Sequence, residues 1–295
     1  MARATLPDGA AVSAGPQGAG PVEERAQAKV NLGLSVLARR GDGYHEIESL
    51  MARVSLADDV RVTLRGTEPA LSVHGADLPI DDRNLALRAA RRYLAAAGAE
   101  GVGVAIELRK RIPVAAGLGG GSSDAGAVLR ALRMLLPTEV DLERLALGLG
   151  SDVPFFLAGH AAALARGRGE RLEPVMLPKL ALVLAYPGEG VTAADAYGAL
   201  QSFTSRLGLD ALLEKLRAGA EPGFVNALQP GVVRAHPVVR EAIRALRAEG
   251  LRGVSMSGSG SCCLALAPDR AQADDAAQRL RAAHPLWTVV AVETG

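Results

Sequence analysis

The stretch Pro113-Val114-Ala115-Ala116-Gly117-Leu118-Gly119-Gly120-Gly121-Ser122-Ser123-Asp124-Ala125-Gly126 carries the strongest signal in the chain. Four glycines within five residues let backbone N–H groups point at one spot with no Cβ in the way. On one side, Val102 to Arg111 alternates apolar and polar residues as a half-buried strand does. On the other, Ser123 to Leu136 sets Val128, Leu129, Leu132 and Leu136 at helical spacing, and Pro137 ends the run. A helix opening at the serines adds unpaired N–H groups and the positive end of its dipole, so strand, loop and helix together predict a phosphate site. Ser122 and Ser123 are placed to cap the helix, bond phosphate oxygens or reach a metal ion. The bland alternative is a flexible linker, but a linker has no reason to join two such well-patterned elements.

The loop is none of the commoner nucleotide motifs. No Lys follows its glycines, no G-x-G-x-x-G occurs, and the H-R-D and D-F-G elements of protein kinases are absent. Any phosphoryl transfer must therefore draw a cation and an acid–base group from elsewhere.

Working outward, Ala28–Leu37, Ile47–Leu56, Val60–Leu64 and Leu71–His74 read as strands, and Asn84–Ala97 as a helix stopped at Gly98. Beyond the loop, Asp141 caps a short helix to Leu149. Ala161–Ala165 and Leu180–Tyr186 read as strands, and Leu209–Arg217 and Val238–Glu249 as helices. A strand-loop-strand spans Gly253–Leu266, then a helix Arg270–His284 and a strand Trp287–Val292. The interleaving lacks a regular βαβ rhythm, which predicts an α+β protein in two lobes. Pro174 and Pro178 bracket the expected boundary. Three segments follow: a flexible tail over 1–21, rich in Gly, Ala and Pro, an N-terminal domain over 22–175 and a C-terminal domain over 176–295.

Of the 295 residues, 49% are hydrophobic and 22% charged, enough for a substantial core. The net charge is +1 with Arg dispersed, which argues against nucleic acid as a partner. Cys262 and Cys263 are adjacent within an apolar stretch, so neither a metal-ligand spacing nor a disulfide framework exists and two buried thiols are expected. No apolar run reaches membrane-spanning length and the N-terminus lacks a signal-peptide core, so a cytoplasmic location is expected.

Two segments can supply the missing chemistry. Ala28-Lys29-Val30-Asn31 puts Lys29 and Asn31 on one face of an otherwise apolar strand. Gly150-Ser151-Asp152-Val153-Pro154-Phe155-Phe156 puts a carboxylate on a turn beside an aromatic pair. Singly, each has a plain alternative, a solvated strand Lys and a structural turn. Ser257, Gly258, Ser259 and Gly260 form a second glycine-serine turn, readable also as a simple hairpin. Tyr44-His45 follows the Gly41-Asp42-Gly43 turn and can project into a cleft, in a chain with only 3% aromatic residues.

The Lys strand, the P-x-x-x-G-L-G-G-G-S-S loop, the Asp turn and the late glycine turn, in this order, resemble the GHMP kinase superfamily. With G-D-G-Y-H-E and S-D-V-P-F-F added, the chain is similar to the members that act on a cytidine-diphosphate-linked polyol. The resemblance runs from about Glu23 to the C-terminus. It implies a ribosomal-protein-S5-like N-terminal lobe and a ferredoxin-like C-terminal lobe with the active site between them. The implied reaction is ATP- and Mg²⁺-dependent phosphorylation of the 2-hydroxyl of a cytidine-diphosphate-linked methylerythritol, in non-mevalonate isoprenoid precursor synthesis. The resemblance assigns ATP to Pro113–Ser123, proton acceptance to Asp152 and charge stabilisation to Lys29. It assigns the cytidine end to Asn31, Tyr44 and His45, with Tyr44 stacking on the base and His45 reading its edge. The second stacking partner stays open among Tyr186, Tyr197 and the Phe155–Phe156 pair. Asp124 is either a Mg²⁺ ligand or a dipole partner, and Asn84 and Leu85 are placed near the adenosine. The rivals are a GHMP kinase for homoserine, mevalonate or a sugar, a non-catalytic nucleotide-binding regulator, and an RNA-binding module.

Overall fold

The computed structural model describes residues 20–295, so the expected tail lies, apart from its last two residues, outside the described residues. The chain opens with a long antiparallel ribbon of β1 (Val22–Arg39) and β2 (His45–Leu64). The sequence pattern splits β2 in two because Asp58 and Asp59 interrupt its apolar run. The strand is nonetheless continuous, with Ala26 opposite Asp58 and Arg25 opposite Asp59. Asp58 is buried there because its carboxylate accepts the N–H groups of Arg111 and Ile112.

On the edge of β2 away from β1, Asp59–Leu64 pairs with β4 (Val104–Arg109) and Ile47–Ala52 with β5 (Ala162–Gly167). β3 (Ala70–His74) joins β4 in parallel after a crossover through α1 (Leu85–Ala96), and β6 (Arg171–Pro174) closes the other edge. Against this sheet pack α2 (Gly120–Leu135), α3 (Leu142–Leu149) and α4 (Val153–Ala158), with Tyr93, Ile106, Val128 and Leu132 at the centre of the core.

The second sheet holds β7 (Ala181–Tyr186), β8 (Arg252–Met256), β9 (Cys263–Ala267) and β10 (Thr288–Glu293), all antiparallel in the order β10-β7-β9-β8. Helices α5 (Ala193–Gly198), α6 (Leu209–Arg217), α7 (Gln229–Ala235) and α8 (Pro237–Ala248) fill the β7–β8 crossover, and α9 (Arg270–Ala283) the β9–β10 one. This is the split βαβ arrangement of a ferredoxin-like lobe. Its strands bury both faces. Val183, Ala185, Cys263 and Ala265 point to α8 and α9, whereas Leu182, Leu184, Leu264 and Leu266 point to Leu32, Leu50 and Ala52 of the first sheet. The lobes are thus joined by a core of their own, which holds the rims of the cleft between them in fixed register.

The short elements α4, α5, α7 and β6 are absent from the sequence pattern, since each is too brief for a period to establish itself. Among the described residues no helix is long and apolar enough to cross a membrane. Both cysteines are free and buried, and burial pushes the Cys262 thiol up to about 12.

Candidate active site

The glycine loop is pinned at three points by main-chain bonds. Lys29 N–H donates to the Leu118 carbonyl at 3.0 Å, Val191 N–H to that of Ala115 at 3.0 Å, and Cys262 N–H to that of Ala116 at 3.1 Å. β1, the approach to α5 and the start of β9 therefore fix one rigid turn. Gly119 precedes α2 at φ 71° and offers no side-chain cap. Helical bonding starts only with Ser123 N–H to Gly119 C=O, so the N–H groups of the first turn stay directed outward for an anion. Glycine is required by contact as well as by φ. A Cβ on Gly117 would lie 2.2 Å from the Ser257 carbonyl oxygen, and one on Gly119 2.8 Å from the Phe156 ring. The second glycine-serine turn is thus the buttress of the first. Ser257 Oγ accepts the Asn31 N–H and bonds the Gly117 carbonyl.

Lys29 and Asp152 meet across this loop. Lys29 Nζ lies 3.6 Å from Asp152 Oδ2 and donates to Asn31 Oδ1 at 2.6 Å and the Gly117 carbonyl at 3.0 Å. Asp152 stands at the N-cap of α4 and bonds none of its N–H groups, so its carboxylate stays open to the cleft. Behind it the Phe155 and Phe156 carbonyls accept from Arg53 and that of Phe156 also from Arg130, which fixes the helix that carries Asp152.

At the far end Tyr44 is 50% exposed, with the Arg168 guanidinium 4.5 Å from its ring centre. His45 stacks on Tyr197 at 4.8 Å, and its ring nitrogens make no hydrogen bond among the described residues. Burial raises the Tyr197 hydroxyl to about 12, so it stays neutral. Loop, Lys29–Asp152 pair and aromatic end line a single cleft of about 760 Å³.

Under the loop lies a charged triad. Lys110 Nζ is held between Asp58 at 2.5 Å and Asp124 at 2.7 Å. Burial works to lower the Lys110 pKa, but the two carboxylates outweigh it and raise it. Burial pushes Asp124 up to about 7 against the attraction of Lys110, and its Oδ1 is buried without a partner.

Residues 84–160 match the family model "GHMP kinases N terminal domain" and residues 201–286 "GHMP kinases C terminal". The 4-diphosphocytidyl-2-C-methyl-D-erythritol kinase of Deinococcus radiodurans is 50% identical over 91% of this chain and 91% of its own length. That of Thermus thermophilus is 49% identical over 90% and 95%. The chain belongs to the GHMP kinase family. A crystal structure of 4-(cytidine 5'-diphospho)-2C-methyl-D-erythritol kinase superposes with TM-score 0.84 at 47% identity, covering 93% of this chain and all of the other. A homoserine kinase from Cytophaga hutchinsonii, at TM-score 0.67 and 21% identity over 93% of this chain and 94% of its own, shares the fold.

The cleft gathers Lys29, Asn31, Tyr44, His45, Pro113–Ser122, Asp152, Gly258 and Ser259. Six expectations change. Ser123 turns away, its hydroxyl donating to the Gln27 carbonyl at 2.7 Å, because α2 starts three residues before it and rotates it inward. For the same reason neither serine caps the helix. Asn31 is engaged by Lys29 through its oxygen and donates to Ser49 Oγ at 2.7 Å, so it orients the lysine and keeps at most one N–H for a ligand. Asn84 uses both ends of its amide, on Ala86 N–H and the Pro79 carbonyl, to cap α1, and of the adenosine pair Leu85 lines the cleft. Asp124 is paired with Lys110, not free beside the dipole. Of the candidates for the second aromatic wall, Tyr197 alone lines the cleft, but its ring is already stacked on His45. Phe203, 53% exposed and tilted 6.5 Å from the His45 ring, stands nearby without lining the cleft. The sequence hides it among short polar residues with no periodic neighbours. Lys110 was hidden by its place in the basic run Arg109-Lys110-Arg111.

Proposed function

We propose that the chain transfers the γ-phosphoryl group of ATP to the 2-hydroxyl of 4-diphosphocytidyl-2-C-methyl-D-erythritol, giving the 2-phosphate and ADP. The observation that carries this reading is the single cleft, in which an uncapped helix start, a Lys–Asp pair and an aromatic end with open ring nitrogens follow one another. The triphosphate binds on the Gly119–Ser122 N–H groups, which places the γ-phosphorus by Lys29. Asp152 accepts the hydroxyl proton as the oxygen attacks the phosphorus and the bond to ADP breaks. Lys29, held by Asn31 and the Gly117 carbonyl, stabilises the charge on the attacking and equatorial oxygens. A loose phosphoryl transition state needs little more than such positioning and positive charge.

Mg²⁺ fits a site of this composition as an ion carried chiefly by the phosphates. Among the described residues there is no cluster of three acidic, His or Cys groups. Asp124 is turned onto Lys110, which leaves Asp152 as the carboxylate that lines the cleft, with hydroxyls that include that of Ser122. When bound, the ion neutralises charge on the β- and γ-phosphates. Cytosine would lie against Tyr44 with its edge toward His45. The domain boundary falls in the same reading between 175 and 176, in the segment that joins the two sheets.

The purified chain with ATP and Mg²⁺, offered this substrate, homoserine, mevalonate and a hexose separately, tests the reading through ADP release. Turnover is expected with the cytidine-linked polyol. Faster release with any of the other three would overturn it.

A further inference from the structure

The reading above requires the substrate's diphosphate to cross the cleft between the aromatic end and Asp152, and two negative charges there call for a cation. Three basic side chains other than His45 line the cleft: Lys29, Lys110 and Arg168. Lys29 is within ion-pair distance of Asp152, and Lys110 is held by two carboxylates. Arg168 has no carboxylate within ion-pair distance among the described residues. Asp42, the carboxylate whose pKa it helps to lower, is paired with Arg40. The neighbouring arginines of the same hairpin are engaged, Arg166 with Glu48 and Glu173, and Arg171 with Glu46.

Position agrees with charge. The β5–β6 turn fixes the Arg168 backbone, whose N–H donates to Glu170 Oε2 at 2.6 Å between two glycines of positive φ. The side chain lies on the Tyr44 ring at the base end. The next residue, Gly169, is close enough to the reacting end that a Cβ there would lie 3.8 Å from Asp152 Oδ1. The turn therefore spans the interval between the base and the hydroxyl to be phosphorylated. A guanidinium is suited to this place, since its planar donors match phosphate oxygens and it is weakly enough hydrated to rest on an aromatic ring beforehand.

We propose that Arg168 is a substrate-binding residue that holds the diphosphate linking cytidine to the polyol, an inference that rests on the function proposed above. It thereby favours nucleoside-diphosphate-linked alcohols over small free alcohols such as homoserine.

Calorimetric titration of cytidine and of CDP into the wild type, Arg168→Gln and Arg168→Lys, with KM measured for both substrates, tests this. Charge-assisted hydrogen bonds of this kind predict a loss of CDP affinity of about tenfold to a hundredfold in Arg168→Gln. Cytidine affinity and the KM for ATP are expected to hold, the KM for the polyol to rise, and Arg168→Lys to recover part of the loss. Equal weakening of cytidine and CDP would make Arg168 a mere support for Tyr44, and no change in either would remove it from the site. A wild type that binds neither cytidine nor CDP would instead sink the substrate reading itself, and this inference with it.

Discussion

Asp124→Asn should gain stability relative to the wild type as pH rises from 5 to 7. In the folded chain burial raises the Asp124 carboxyl from its ordinary 3.8 to about 7. Its Oδ1 is sealed from water with no donor to meet it, so a charge there is poorly compensated. The folded state therefore holds a proton that the unfolded chain has already released above pH 4. Stability from this group is full below 3.8 and falls as pH rises toward 7, by about 1.4 kcal/mol per pH unit. Asparagine copies the protonated carboxyl in shape, accepting from Lys110 and placing an amide where the proton would be, but it cannot ionise. Urea denaturation of both proteins at pH 5, 6, 7 and 8 gives the difference directly. It should widen by roughly one such increment per pH unit from 5 to 7 and level off beyond. The surface carboxylates of Asp42, Asp81, Asp269 and Asp274, all held below the ordinary value by hydrogen bonds, act oppositely and in the acid range, and cancel in the difference. Lys110, raised above 10.5, matters only in strong alkali. A difference that stays flat from pH 5 to 8 would show that Asp124 is ionised throughout and that Lys110 fully compensates it.

Two further substitutions probe the site. Asp152→Asn removes the proton acceptor but keeps shape and polarity, so turnover should fall by about 10²–10⁴ while ATP affinity holds; turnover within threefold of wild type would take Asp152 out of the mechanism. Gly117→Ala sets a Cβ 2.2 Å from the Ser257 carbonyl oxygen at a φ of 73° and should prise the two glycine turns apart. The strained backbone alone costs about 1–2 kcal/mol, and ATP affinity should drop about tenfold or more, whereas unchanged ATP binding by calorimetry would mean that the buttress is dispensable.

The sequence was most legible where one residue type has one physical use. Glycines at 117 and 119, a lysine inside a strand core and an aspartate ahead of Pro154 each stood out, and all four line one cleft. Long elements were legible for a related reason, since α1, α2, α8 and α9 each run long enough for an apolar period to repeat. Side-chain partnership was not legible. Whether Asn31 faces a base or a lysine depends on Ser49 of the neighbouring strand, and whether Asp124 is free depends on Lys110, fourteen residues earlier. The start of α2 was misplaced because glycines are poor helix formers in isolation. Here the docking of the loop on Lys29, Val191 and Cys262 overrides that preference. Phe203 and Arg168 become meaningful only once the fold brings them beside His45 and Tyr44.

The central claim, that the cleft reads a cytidine-linked polyol, is tested most directly by comparing kcat/KM for the cytidine substrate and its uridine counterpart. His45 and the groups about it would meet the cytosine edge with complementary donors and acceptors, and uracil reverses two of these. Each unpaired group costs about 1–3 kcal/mol, so the cytidine compound should be preferred on the order of a hundredfold or more. Equal values for the two bases would contradict the account.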